Sequence, residues 1–458
     1  MAPNAAAIVG VARCGDGKVE SVMQSREIAA DVLVIGGGTA GFGAALAAAR
    51  RGLRVTVIEA TAKIGGVMAF CPGMPWGGGY PVGQNIGGLF EELTTRLMQE
   101  TPPTAVVRPS TLENFGAEVI YDHEAATFAM FEMLEAAHVD VRLNTIAGAP
   151  TLEGQRIAAV AAFDRRGPVS VRSRMVIDCS GDGDLSARAG VPYTVGNGAG
   201  DMMGVTLSFT MIGVDRDRAF AEPDPYFERY AAEGIREGRL HPDLAKLYLM
   251  RGFHDRTVFC NTVHIRGVDG TDPSAVVRAT QEGRRRCRDV ARFLVERVPG
   301  FEDARMIDLG PTVGVRETRR LEALHRITGE EVARGIRFDD GIVACDNPID
   351  DVMRGGGKMT HDAAVAAGAY YTIPLRALIP RRIENLLFAG RLVCADPVAF
   401  ASVRGMPQCM AMGQAAGTTA AIALEAAVAV QDVDRRQIVD TLVAQGVNRI
   451  GRAGAGLT

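Results

Sequence analysis

Residues 31–43 read Asp-Val-Leu-Val-Ile-Gly-Gly-Gly-Thr-Ala-Gly-Phe-Gly, and the spacing Gly36-x-Gly38-x-x-Gly41 inside them is suited to holding a pyrophosphate. The first glycine permits a tight turn, the second admits a phosphate against the backbone, and the third lets a helix pack closely on a strand. The N-terminus of the helix that follows would offer unpaired N–H groups and a positive dipole end to an anion. Glu59, eighteen residues beyond Gly41, is placed to accept hydrogen bonds from ribose hydroxyls.

The elements around these residues fit the same chemistry. Asp31-Val-Leu-Val-Ile35 has the apolarity of a buried parallel strand, and Ala44 to Arg51 is an alanine-rich helical pattern ended by Gly52. Arg54-Val-Thr-Val-Ile58 is a second buried strand that closes on Glu59. Strand, glycine turn, helix, strand and acid together mark a dinucleotide-binding unit; the glycines alone are a weak signal. The chain then reads Ala60-Thr-Ala-Lys63-Ile-Gly65-Gly66-Val67 and enters a long irregular stretch from Met68 to Asn85 that holds the sole tryptophan, Trp76. A nicotinamide-binding domain would usually go straight into its next βαβ unit, so this segment favours FAD over NAD.

Three later segments extend the pattern. Val139-Asp-Val-Arg-Leu143, with Asn144 and Thr145, reads as a strand passing near an adenine; Met175-Val-Ile-Asp178 runs into Cys179-Ser180-Gly181-Asp182-Gly183-Asp184; and Asn385-Leu-Leu-Phe-Ala-Gly390-Arg391 delivers another glycine. With the earlier glycines, Gly314-Val-Arg316-Glu-Thr-Arg319-Arg320, Pro374-Leu-Arg-Ala-Leu-Ile-Pro380 and the run from Ala401-Ser-Val-Arg404-Gly405-Met406-Pro407 through Gly417, the chain resembles the FAD-dependent oxidoreductases. These are two-dinucleotide-binding-domain flavoproteins, distantly similar to succinate dehydrogenase and fumarate reductase flavoproteins.

The resemblance covers about residues 30–425 and specifies a family much better than a substrate. It implies an α/β fold: a Rossmann-like, glutathione-reductase-like FAD-binding domain with an inserted mixed α+β substrate domain. The FAD domain would comprise roughly 31–70, 120–200 and 375–430, and the substrate region 71–119 and 201–374. Residues 1–30 and 431–458 would be peripheral. Cofactor contacts are expected at Gly36, Gly38, Thr39, Ala40, Gly41, Glu59, Ala60, Lys63, Gly65, Gly66, Val67, Ile146, Ser180, Gly181, Asp184, Gly390, Arg391, Met406 and Gly413.

For the reaction itself, the flavin supplies the redox chemistry and the protein binds, orients and tunes it. By resemblance, a small-residue helix from Met410 to Ala423 points its N-terminus at the flavin, with Arg404 beside it to stabilise charge on the reduced ring. Arg316 and Arg320 would share one face of an extended backbone and Arg319 the other; a guanidinium there could bind a carboxylate or pin a structural acid. His254, His264 and His361 are candidate bases, since imidazole titrates near neutrality. Tyr371, or its neighbour Tyr370, could turn a hydroxyl inwards. Cys71 lies in the loop beside the flavin and reads as an inert thiol, and Asp182 and Asp184 read as turn or cofactor-binding acids.

Composition narrows the function classes. A net charge of −4, with 47% apolar and 23% charged residues, describes an ordinary globular chain and argues against nucleic acid or an anionic membrane as main partner. The arginine-laden stretch between Pro273 and Val298 is the exception, and reads as a solvated helix face. No apolar run reaches membrane-span length, no leader pattern is evident near residue 1, and none of the eight cysteines forms a CxxC, so a cytoplasmic protein without a metal site is expected. Its partners would be a small-molecule substrate and an external electron acceptor, such as oxygen or a quinone, with room for a homo-oligomer. Two other classes remain open from sequence: a flavin-dependent isomerase or hydratase, and an FAD-bearing subunit of a complex.

Overall fold

The structure is a computed structural model and describes residues 25–71, 73–221, 224–352 and 360–451; residues 1–24 of the expected N-terminal segment and 452–458 of the tail lie outside the described residues. Its largest sheet has seven strands. Asp140–Arg142, Val55–Ile58, Arg26–Ile35 and Gly167–Asp178 lie side by side in parallel. Leu386–Phe388 adds a fifth parallel strand beside residues 176–178. The first part of Gly167–Asp178 pairs instead with Arg156–Asp164, which pairs with Ile146–Glu153, making an antiparallel meander. One twelve-residue strand thus serves two neighbours along a single edge.

The strand Arg26–Ile35 is apolar on both faces because both are covered. Val32 and Val34 pack with the helix Thr39–Ala49, while Leu33 and Ile35 pack with the meander side. The helix starts at Thr39, ahead of the Ala44 read from the alanine pattern, because the glycine turn feeds directly into its first turn. It crosses a 21-residue helix, Met406–Ala426, that is longer at both ends than the predicted 410–423 and carries Pro407 in its first turn. The crossing is backbone against backbone. A Cβ on Gly413 would stand 1.9 Å from the Ala40 carbonyl oxygen, and one on Gly417 2.2 Å from that of Ala44.

A second, four-stranded antiparallel sheet has the order Leu249–Arg251, Thr257–Ile265, Val205–Ile212, Arg305–Ile307. The helix Pro273–Arg297 lies on it, capped by the Asp272 side chain accepting from the Ser274 N–H, and shares a core of Leu207, Phe209, Val263, Cys287, Phe293 and Leu294. Its arginines turn to carboxylates: Arg285 and Arg286 to Glu282, Arg286 also to Asp243, and Arg297 to Glu233 and Glu237. Among the described residues no helix is long and apolar enough to cross a membrane.

Candidate active site

The parallel strands end at a cavity that runs from Glu59 to Met406. At one end Gly36 turns with φ +96°, and a Cβ there would lie 2.5 Å from the Cys179 carbonyl oxygen. Glu59 is fixed by two backbone donors: the Gly37 N–H to Oε2 and the Thr61 N–H to Oε1, each at 2.7 Å. Each oxygen keeps a second lone pair for another donor. Gly65 and Gly66 strap the turn, with the Gly65 N–H donating to the Gly37 carbonyl at 2.8 Å. Two helices, Thr39–Ala49 and Met406–Ala426, begin at Gly38 and Gly405 without a capping side chain, and both N-termini line the cavity. Arg391 lies over Gly181, and its buried Nη1 has no hydrogen-bond partner among the described residues.

These features fit FAD. An acid at the mouth of the second strand suits the adenosine ribose, open N–H groups and an unsatisfied guanidinium nitrogen suit the pyrophosphate, and the Gly405 helix end suits an electron-rich ring.

Of the expected cofactor residues, Gly36, Gly38, Thr39, Ala40, Glu59 and Gly66 line the cavity, as do Val67, Ser180, Gly181, Gly390, Arg391 and Met406. Others stand off it for identifiable reasons. Gly41 and Gly413 are close-packing positions, the first with its would-be Cβ 1.8 Å from the Gly36 carbonyl oxygen. Gly65 braces the turn from behind, Ala60 is exposed, and Lys63 pairs with Glu124 at 2.5 Å. Ile146 is 61% exposed on the sheet's edge strand, and Asp184 pairs with Arg319 at 2.7 Å. Two expected catalytic residues are also placed elsewhere. His254 is largely exposed beside Asp122, Nε2 to Oδ2 3.1 Å, and Tyr371 is buried with its hydroxyl 2.6 Å from Ser402 Oγ.

Arg316, Arg404 and His361 do meet, at the cavity's other end. Arg316 donates from Nη1 to the Gly204 carbonyl at 3.1 Å and to Thr206 Oγ1 at 2.5 Å, and forms no ion pair among the described residues. Burial pulls its guanidinium down to about 10, so it stays charged. The expected face shared with Arg320 is absent. Only residues 319–321 form the strand, Arg320 is buried against Glu317 and the Ala395 carbonyl, and Arg316 lies ahead of the strand in irregular chain. Arg404 donates from Nη2 to Asp350 Oδ2 at 2.5 Å and to the Asp350 carbonyl at 2.9 Å. Burial alone would raise the Asp350 carboxyl; Arg404, His361 and Arg316 together hold it well below the usual carboxylate range. Cys71 lines the cavity with Sγ 2.8 Å from Ser208 Oγ, and burial pushes its thiol up, away from the thiolate.

Asp350, Tyr248, Asn261 and Thr206 also line this end and were not singled out from sequence. Each lies outside the motifs read from sequence; Asp350 gains its partners from Arg404 and from the strand pairing that sets it opposite His361. Phe70, Met74, Leu112, Phe115 and Met250 complete an apolar wall.

His264 sits behind this wall, 3% exposed, with Nδ1 3.0 Å from Thr206 Oγ1 and its ring stacked on Tyr248 at 5.6 Å. Burial, then the charge of Arg316, lowers its pKa to about 3. A histidine whose folded pKa lies below its unfolded value gives full stability above the unfolded value and loses it as pH falls towards the folded one. A free histidine titrates near pH 6.5, so lowering the pH from 6.5 to 5 should cost roughly 2 kcal/mol, about 1.5 units of a window that ends near pH 3. Urea unfolding at pH 7 and pH 5 measures this, and His264→Gln should flatten the difference. An equal loss in the variant would assign the acid sensitivity to other groups.

The family model described as "FAD dependent oxidoreductase" matches residues 31–442, and the chain belongs to that family. FAD is its cofactor, bound by an α/β fold with a Rossmann-like parallel sheet. Among curated proteins, an 84-residue stretch is 44% identical to 4-oxocyclohex-2-ene-1-carboxylate 5-dehydrogenase of Sinomonas cyclohexanicum; the stretch is 18% of this chain and spans 14% of that relative's length. Among solved structures, a geranylgeranyl bacteriochlorophyll reductase-like protein from Thermoplasma acidophilum aligns at TM-score 0.48 and 14% identity, covering 92% of this chain and 84% of that one. The p-nitrophenol 4-monooxygenase PnpA from Pseudomonas putida DLL-E4 aligns at 0.46 and 12%, with the same coverage.

Proposed function

We propose that the protein exchanges a hydride between the flavin and a small organic acid, bound with its carboxylate on Arg316 and its carbon skeleton on the apolar wall. The observation that carries this is an arginine on the wall of the cavity, charged, facing the interior and without a carboxylate of its own among the described residues. Nearby Arg404 differs, since Asp350 already neutralises it. A guanidinium taken out of water without an anion is costly, and a substrate carboxylate answers it with charge-assisted hydrogen bonds. The partial relative's name places a carboxylate on a ring ketone, which is the same combination of charge and apolar body. Electrons would then pass to an external acceptor.

Anaerobic mixing of the FAD-loaded protein with ring keto-carboxylates, beginning with 4-oxocyclohex-2-ene-1-carboxylate, tests the reading. Loss of the oxidised flavin band with the acids and not with their carboxamides is the expected result. Equal bleaching by the carboxamides would remove Arg316 from substrate recognition. Readmitting air then sorts the acceptors: fast return of the band indicates oxygen, slow return a quinone or protein.

A further inference from the structure

Asp350 and His361 stand directly opposite each other where Ile349–Asp351 pairs with Thr360–Asp362. The carboxylate divides its oxygens. Oδ2 accepts from Arg404 at 2.5 Å, and Oδ1 lies 3.4 Å from His361 Nε2 and makes no hydrogen bond among the described residues. That gap is longer than a formed hydrogen bond, yet it sets which ring nitrogen meets the negative charge. An ionised carboxylate only accepts, so the nitrogen turned towards it carries the proton, and the lone pair is left on Nδ1.

We propose that Asp350 is a positioning residue: held by Arg404, it keeps His361 in the Nε2–H tautomer so that Nδ1 is the base that takes the substrate proton. The proposal rests on the reading of this cavity as a redox site. In substrate oxidation a C–H hydride, with both bonding electrons, goes to the flavin while a proton from the neighbouring atom goes to Nδ1. The substrate loses two electrons and two hydrogens, and reduction runs the same transfers backwards. The other polar groups at this end are Arg316 from the loop before residue 319, Tyr248, whose ring lies 5.9 Å from the His361 ring, Asn261, Thr206, and His264 from the strand Thr257–Ile265. The other carboxylates on the cavity wall are Glu59, at its far end, and Glu118, which Arg108 pairs at 2.9 Å, so Asp350 is the anion that orders the imidazole.

Asp350→Asn separates positioning from mere packing. Arg404 only donates, so the new amide must give it the oxygen and turn its NH2 to His361. Nε2 must then accept, and the ring proton moves to Nδ1, which abolishes the base. Nitrogen-15 NMR of the histidine side chains in the FAD-loaded protein reads this, with His361→Gln assigning the signals. The expected result is Nε2–H in the wild type and in Asp350→Glu, and Nδ1–H in Asp350→Asn. An Nδ1–H ring in the wild type, or the same tautomer in wild type and Asp350→Asn, would overturn the proposal; the wild-type spectrum decides even where a variant fails to fold. The flavin absorption spectrum is recorded on the same samples. Missing flavin bands would sink the redox reading, while the tautomer still decides the positioning role.

Discussion

Arg316→Met should weaken binding of a carboxylate probe by about 100- to 1,000-fold, which is roughly 3–4 kcal/mol. The reasoning is local. The side chain has two anchors, the Gly204 carbonyl and Thr206 Oγ1, both reached from Nη1, which leaves the remainder of the guanidinium fork for a ligand. Methionine keeps much of the length and fills the apolar wall, so the change removes charge and donors more than volume. Arg316→Lys should fall between, near a tenfold loss, because an ammonium keeps the charge and loses the fork. Perturbation of the flavin spectrum by 4-oxocyclohex-2-ene-1-carboxylate measures the affinity in each. A methionine variant that binds the acid as the wild type does, with its flavin in place, would make Arg316 a structural residue.

The second large effect is expected far from the substrate. Gly413→Val should destabilise the protein by about 3 kcal/mol or more and lower its flavin content. The obstacle to a side chain at 413 is the Ala40 backbone, at 1.9 Å from the would-be Cβ, and a backbone cannot swing aside as a flexible side chain does. The helices Thr39–Ala49 and Met406–Ala426 would have to separate, and the same crossing holds their two N-termini over one cavity. Cofactor binding and stability should therefore fall together. Thermal unfolding with the flavin-to-protein ratio measured on the same sample checks both, and an unchanged melting temperature would refute the close crossing. By resemblance Gly413 was expected to touch the cofactor; its place in the packing explains equally well why the position calls for glycine.

Much of the cofactor half could be read directly from the residues. The glycine turn, Glu59 and the strands on either side are contiguous in sequence, and their chemistry follows from local rules: a left-handed φ at Gly36, an acid at a strand end, buried strands of branched residues. The ends of elements were less legible. The Thr39–Ala49 and Met406–Ala426 helices both start earlier than the apolar pattern alone suggested, because glycine and proline at a first turn are compatible with a helix start.

The substrate end was legible only as residue types. Arg316, Arg404 and His361 were named from sequence, and so were His254 and Tyr371, which the fold sends to the surface beside Asp122 and into the core beside Ser402. A histidine or arginine carries the same proton chemistry wherever it lies, so spacing cannot say which ones face a shared cavity. Sequence by itself determined a nucleotide-binding α/β chain and its FAD, because that information is held within short stretches of backbone. Tertiary structure decided that Asp350 stands between Arg404 and His361 while Arg316 has no acid paired to it among the described residues, because burial and pairing are properties of neighbours brought together from positions 11, 54 and 110 residues apart.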